Sequence, residues 1–280
     1  MNKNPYEYNA VEVDGFKISP SGFANSLSAP DEWYKNNILK ISTFNGKEAT
    51  VFGTLIHARI EHYFETKEDV VPEGEVEFIE KNIALGNFTD FETVQLELDK
   101  VWNVIKNEYC DAIENPILNE VEIKYRVPLT DNWIAGTIDA IEAGGVGNEV
   151  IITDYKTTKK TPSDMSVSHY LQAMLYALAV RETTRYIPTK IKIVYIVRLK
   201  RVPKIVIFER DISEIDYKFI KRQVEILLYK LKRIEDDPAA AEVFFNINPL
   251  AYNINVDNML VDVEAEIQKD KVKNQLKELI

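Results

Sequence analysis

The fold is decided by VEIKYRV at residues 121–127, WIAGTIDAI at 133–141 and VIITDYK at 150–156. In the first stretch Val121, Ile123, Tyr125 and Val127 alternate with Glu122, Lys124 and Arg126, the period-two pattern of a strand with one buried face. Thr130-Asp131-Asn132 provides a turn before the second stretch, and Gly144-Gly145-Val146-Gly147 a turn before the third. Three strands with short connections predict an antiparallel meander. In the second strand Ile134, Ile138 and Ala140 are expected on the core face, with Asp139 opposite beside Ala135, Thr137 and Ile141. In the third, Asp154 and Lys156 share a face while Tyr155 points away.

Working outward, the N-terminal third carries helical periodicity. Ile56, Ile60, Tyr63 and Phe64 form an apolar stripe within 49–64, and similar patterns cover 76–83 and 91–113. After the meander come a helix over 164–181, strands at 191–197 and 204–208, and a basic amphipathic helix from about 215 to 234. This order predicts an α/β (α+β) fold, a central mixed sheet flanked by helices with a helical N-terminal part. The expected division is a leading segment 1–48, a core 49–235 with a helical insertion 75–114, and a C-terminal extension 236–280. In that extension Leu260, Val263, Ile267, Leu276 and Leu279 trace an incomplete helical stripe, suited to packing in cis or to a partner.

Composition narrows the function. The single cysteine, Cys110, excludes an intrachain disulfide, a thiolate-rich zinc site and a four-cysteine iron–sulfur cluster, so any metal must be held mainly by oxygen and nitrogen. No stretch is long and apolar enough to span a membrane, and residues 1–10 lack a signal-peptide core, so the expected compartment is the cytoplasm. The net charge of −11 is unevenly spread: residues 156–233 hold 18 Lys and Arg against 7 Asp and Glu, a surplus of +11 that leaves −22 elsewhere. Such a basic block suits a polyanion, with Lys159, Lys160, Arg198, Lys200 and Arg201 as candidate phosphate contacts, although solvated helix faces produce similar runs.

Asp139 and Asp154 on neighbouring strands repel unless a cation or proton lies between them, and hard divalent ions take such oxygen ligands. Phosphodiester hydrolysis needs a metal to supply hydroxide near neutral pH and to neutralise the transition state. Lys156 adds positive charge, and its carboxylate neighbours favour an electrostatic, water-orienting role over that of general base. His57 lies one turn from Glu61 and off the apolar stripe, a candidate nitrogen ligand. Gln172 and Tyr176 are four apart on one helix face, and His169 lies three before Gln172.

Together, Gly53-x-x-x-His57, Gly136-Thr137-Ile138-Asp139, Asp154-Tyr155-Lys156-Thr157 and Gln172-x-x-x-Tyr176 resemble the nuclease domain of RecB and of related phage, archaeal and CRISPR-associated exonucleases, in the PD-(D/E)XK superfamily. Ser19-Pro20-Ser21 ahead of Trp33-Tyr34 is similar to that family's leading segment. The resemblance implies a restriction-endonuclease-like core and a DNA nuclease, an exonuclease in replication, recombination or repair before a structure-specific endonuclease or an inactive DNA-binding relative. It implies Mg²⁺ or Mn²⁺ held by His57, Asp139, Asp154 and the Tyr155 backbone, Lys156 as the catalytic lysine, and Gln172 and Tyr176 organising DNA or the lysine. It also implies a glutamate on the first meander strand, where Glu122, farther into the strand, is preferred to Glu120. The cysteine cluster of several relatives is missing, so no iron–sulfur cluster is expected. DNA is the implied partner, with a single-strand annealing protein, a helicase or a second copy of the chain as further candidates.

Overall fold

The computed structural model describes residues 6, 11–41, 48–113, 116–199 and 201–245. The C-terminal stripe from Leu260 to Leu279 and Lys200 lie outside them. A mixed sheet is formed by β1 (Lys17–Ile18), β2 (Leu118–Arg126), β3 (Trp133–Ala143), β4 (Glu149–Thr158), β5 (Ile187–Val197) and β6 (Lys204–Asp211). The meander β2–β3–β4 is antiparallel as expected, β4 and β5 are parallel, and β6 closes the edge antiparallel to β5.

Helices cover both faces. On one side lie α1 (Pro20–Ser28), α2 (Pro30–Asn37), α6 (Val167–Thr183), α7 (Glu214–Asp236) and α8 (Ala240–Phe244), around a core that includes Phe23, Trp33, Ile138, Leu175, Ile193 and Val224. On the other lie α3 (Glu48–Thr66), α4 (Glu75–Ala84), α5 (Phe91–Ile105) and a π-turn at Lys106–Cys110, around Phe52, Ile56, Leu98, Tyr109 and Tyr155. The sheet thus buries apolar side chains on both faces, as helices on two sides require. The Ser19-Pro20 pair starts α1: the Ser19 hydroxyl accepts the Gly22 N–H at 3.1 Å and Pro20 takes the first turn. The described stretch 11–41 of the leading segment is therefore built into the sheet and its helical layer.

Two features of β3 create the opening for a site. β2 runs along one edge from Trp133 to Ile141, while the other edge is shared: β1 pairs with Trp133 and Ile134, and β4 only with Ala140 to Ala143. Residues 135–139 therefore have no ladder partner on that edge, and β3 and β4 part at Asp139, just beyond the Ala140–Thr153 pair. The side-chain alternation also slips there. Ile134, Ile138 and Ile141 belong to the α6-side core, but Ala140 packs with Tyr155, Val194 and Ile196 on the α3 side. This corrects the expectation that Ala140 shares a face with Ile138. The facing residue of β2, Glu120, has φ 47° and interrupts the ladder between Asn119↔Ala140 and Val121↔Ile138. Irregularities of this kind re-aim side chains.

Candidate active site

The slip in β3 brings Asp139 against α3 and β4. Its Oδ2 accepts the Tyr155 backbone N–H at 2.7 Å, which substitutes for the missing ladder bond. Its Oδ1 lies 3.6 Å from Nδ1 of His57 on α3. The other imidazole nitrogen, Nε2, is 3.1 Å from the Tyr155 carbonyl, so in a neutral ring the hydrogen sits on Nε2 and Nδ1 presents a lone pair toward Asp139. Helix α3 can come this close because residue 53 is glycine: a Cβ there would stand 3.2 Å from Thr157 Oγ1.

His57, Glu120 and Asp139 form a group whose ligand atoms all lie within 4.8 Å of one another. Glu122, preferred from the sequence, is not in it; it sits two residues along β2, opposite Thr137. The positive φ at Glu120 is the physical reason, since it places Glu120 opposite Asp139 at the break in the ladder.

Asp154 is 2% exposed and lies beneath Lys156. Lys156 Nζ donates to Asp154 Oδ1 at 2.8 Å and sits 2.7 Å from Oδ2, off the direction for a second hydrogen bond. Gln172 Nε2 on α6 also donates to Oδ1, at 3.2 Å. Oδ2 is therefore sealed from solvent, with Lys156 charge beside it but no hydrogen bond. Burial pushes the Asp154 carboxyl up to about 6; Lys156 opposes this and Asp139 adds to it. Burial pulls the Lys156 ammonium down, but Asp154 and Asp139 outweigh it and the net shift is upward, so Lys156 stays charged and is unsuited to act as a base. Tyr176 is buried against Gly136, where a Cβ would come within 3.2 Å of its hydroxyl and 3.1 Å of Pro20 Cδ. Burial first, then the Asp139 and Asp154 carboxylates, drive the Tyr176 phenol far above its usual value, so it remains a neutral hydroxyl. The four motifs singled out from sequence thus converge on one opening.

The candidate phosphate contacts divide. Arg198 is 5% exposed, its guanidinium lying over the Phe52 ring at 3.4 Å and pairing with Glu48 at 2.5 Å and Glu97 at 2.9 Å. This corrects its placement in a surface track: the fold uses its charge to tie α3 and α5 to the end of β5. Lys159 is exposed but also pairs with Glu48, at 2.8 Å. Lys160 and Arg201 are exposed. A charged group not anticipated from sequence lies beneath the site, where Lys192 pairs with buried Glu142 at 2.5 Å and Tyr109 donates to Glu142 at 3.0 Å. Strand alternation alone offered no signal for it.

With this geometry established, comparison with known proteins gives the class. The PD-(D/E)XK nuclease superfamily model matches residues 17–267. The chain belongs to the PD-(D/E)XK nuclease superfamily, and its sheet and helical layers are consistent with a restriction-endonuclease-like fold. Among solved structures, a candidate exonuclease from Eubacterium rectale aligns with a TM-score of 0.54 at 13% identity, covering 86% of each chain. A second, SSO0001, aligns at 17% identity over 78% of this chain and 79% of its own, with a TM-score of 0.37. No curated protein matches significantly. Among the described residues no helix is long and apolar enough to cross a membrane.

PD-(D/E)XK nucleases generally use divalent metals, and the donor set here fits one. Two carboxylates and an imidazole converge within 4.8 Å, and the sealed Asp154 Oδ2 lacks a hydrogen bond. Oxygen-rich donors with one imidazole suit a hard divalent ion rather than a thiophilic one.

Proposed function

We propose that the chain is a metal-dependent deoxyribonuclease that hydrolyses phosphodiesters and works from DNA ends. The convergence of His57, Glu120 and Asp139 beside the Asp154–Lys156 pair carries the reading. Mg²⁺ or Mn²⁺ held by His57, Glu120 and Asp139, with Asp154 and the Tyr155 carbonyl as further oxygen donors, would lower the pKa of a water and neutralise charge on the phosphate. Lys156, kept protonated by its carboxylates, contributes a fixed positive charge where negative charge grows on the phosphorane and orients the attacking water. Gln172 holds Asp154 and so the lysine, while Tyr176 closes the floor against Gly136. Of the candidate phosphate contacts, Lys160 and Arg201 are exposed and are the ones assigned here to DNA phosphates.

Action from ends rests on the resemblance to RecB-like exonucleases and on the description of the Eubacterium rectale neighbour. A role in replication, recombination or repair follows the same resemblance. The test is a time course on end-labelled linear duplex and covalently closed circular DNA with Mg²⁺, Mn²⁺ or EDTA. The expected result is metal-dependent loss of the linear substrate with the circle intact. Nicking of the circle at a comparable rate would make the enzyme an endonuclease, and activity in EDTA would remove the metal mechanism.

A further inference from the structure

Beside Lys156, on the side away from His57 and Asp139, stands an imidazole that the site described above does not use. His169 lies in the first turn of α6, three residues before Gln172. Its Nδ1 is 2.9 Å from the Tyr195 hydroxyl, which also accepts the Ser166 backbone N–H at 3.0 Å. With the amide able only to donate, the phenol hydrogen is available for Nδ1, and a neutral imidazole that accepts on Nδ1 carries its hydrogen on Nε2. Burial first, and the Lys156 charge second, hold the His169 pKa down at about 4, so the ring is neutral near pH 7. Nε2 has no partner among the described residues and, unlike Asp154 Oδ2, is not sealed from solvent. Tyr195 is the register partner of Lys156, so both project from the same side of the sheet. Across the sheet the order is Glu120 on β2, Asp139 on β3, Asp154 and Lys156 on β4, then Tyr195 with His169.

We infer that His169 is a phosphate-contacting residue, its Nε2–H donating to an oxygen of the nucleic-acid phosphate next to the one held at Lys156. The inference rests on the nuclease reading for the placement of the strand. A neutral donor suits this position, because a second cation beside Lys156 would repel it, whereas a pre-oriented N–H contacts the backbone without that cost. Tyr195 acts as a positioning residue that selects the tautomer.

Binding of a fluorescein-labelled single-stranded oligonucleotide, with Ca²⁺ present to limit cleavage, tests this in the full chain. His169→Ala should weaken binding by about 10- to 100-fold, the range for a hydrogen bond to a charged group. The slope of log K against log salt should stay unchanged, since no charge is lost. His169→Gln, which keeps an N–H of similar reach, should recover most of the affinity. Tyr195→Phe should weaken binding by a smaller factor. Unchanged affinity in His169→Ala overturns the contact, and a slope reduced by about one charge overturns its neutrality. A wild type that binds the oligonucleotide, responds to these substitutions as stated and yet cleaves no DNA with Mg²⁺ or Mn²⁺ would sink the nuclease reading while supporting the phosphate contact.

Discussion

Glu120→Gln is the substitution on which the site geometry makes its most specific demand. Glu120 and Asp139 present oxygens within 4.8 Å of each other, so in metal-free protein the two charges repel by about 3 kcal/mol at an effective dielectric near 20. Both side chains are partly exposed, and solvent screening reduces this to about 1–2 kcal/mol. Neutralising Glu120 should therefore raise the Tm of protein in EDTA by roughly 2–8 °C, at about 2–4 °C per kcal/mol. With metal the sign reverses. At an ion concentration tenfold above Kd the wild type gains about 1.4 kcal/mol, roughly 3–6 °C, and Glu120→Gln should lose most of that increment. Cleavage should fall by at least about 100-fold, as expected when transition-state charge is left uncompensated. Glu122→Gln makes the same chemical change two residues along the same strand and should leave both melting curves and the rate near wild type. The assay is a thermal melt of each protein in EDTA and in Mn²⁺, with initial cleavage rates. Retention of the Mn²⁺ increment and rate by Glu120→Gln, with their loss in Glu122→Gln, would refute the assignment.

Three further outcomes follow from the packing and titration of the site. Asp154 has its folded carboxyl raised to about 6 from 3.8, so the native state holds an extra proton between those values; its contribution makes metal-free stability fall as pH rises through that window and level off above it. Mn²⁺ affinity runs the other way, weakening as pH drops through about 6, and titrations above and below that point check it. Gly136→Ala should cost about 1–3 kcal/mol and disturb Tyr176, because the new Cβ meets Pro20 and Tyr176 at 3.1–3.3 Å; an unaltered Tm and rate would show that the wall gives way freely. Arg198→Ala should cost about 1–2 kcal/mol in urea unfolding through lost packing on Phe52 and lost pairs to the partly exposed Glu48 and Glu97, while leaving the salt slope of DNA binding unchanged; Arg201→Ala should do the reverse.

The strands and most helices were legible because their periodicity survives folding. The pattern in 121–127, 133–141 and 150–156 gave the meander, and Asp154 and Lys156 share a face as any regular strand requires. Glu120 was harder to choose because its role depends on a left-handed backbone angle that a non-glycine residue rarely adopts, and no side-chain pattern encodes it. The displacement of Ala140 has the same origin: one irregular step at Asp139 reverses every later residue of β3. Arg198 reads as surface charge in sequence because a local tally of Lys and Arg cannot see Glu48 and Glu97 arriving from α3 and α5. Helix α6 shows little amphipathic contrast because its middle, from Ala173 to Val180, is buried all round.

Cleavage of end-labelled linear DNA by equally folded wild-type, Asp154→Asn and Lys156→Ala proteins, with Mn²⁺ added after chelation, tests the central claim most directly. The account predicts that Mn²⁺ restores cleavage only to the wild type, and that both variants stay at least about 100-fold slower while at least one still binds DNA. Wild-type cleavage by a folded Asp154→Asn or Lys156→Ala protein would contradict it.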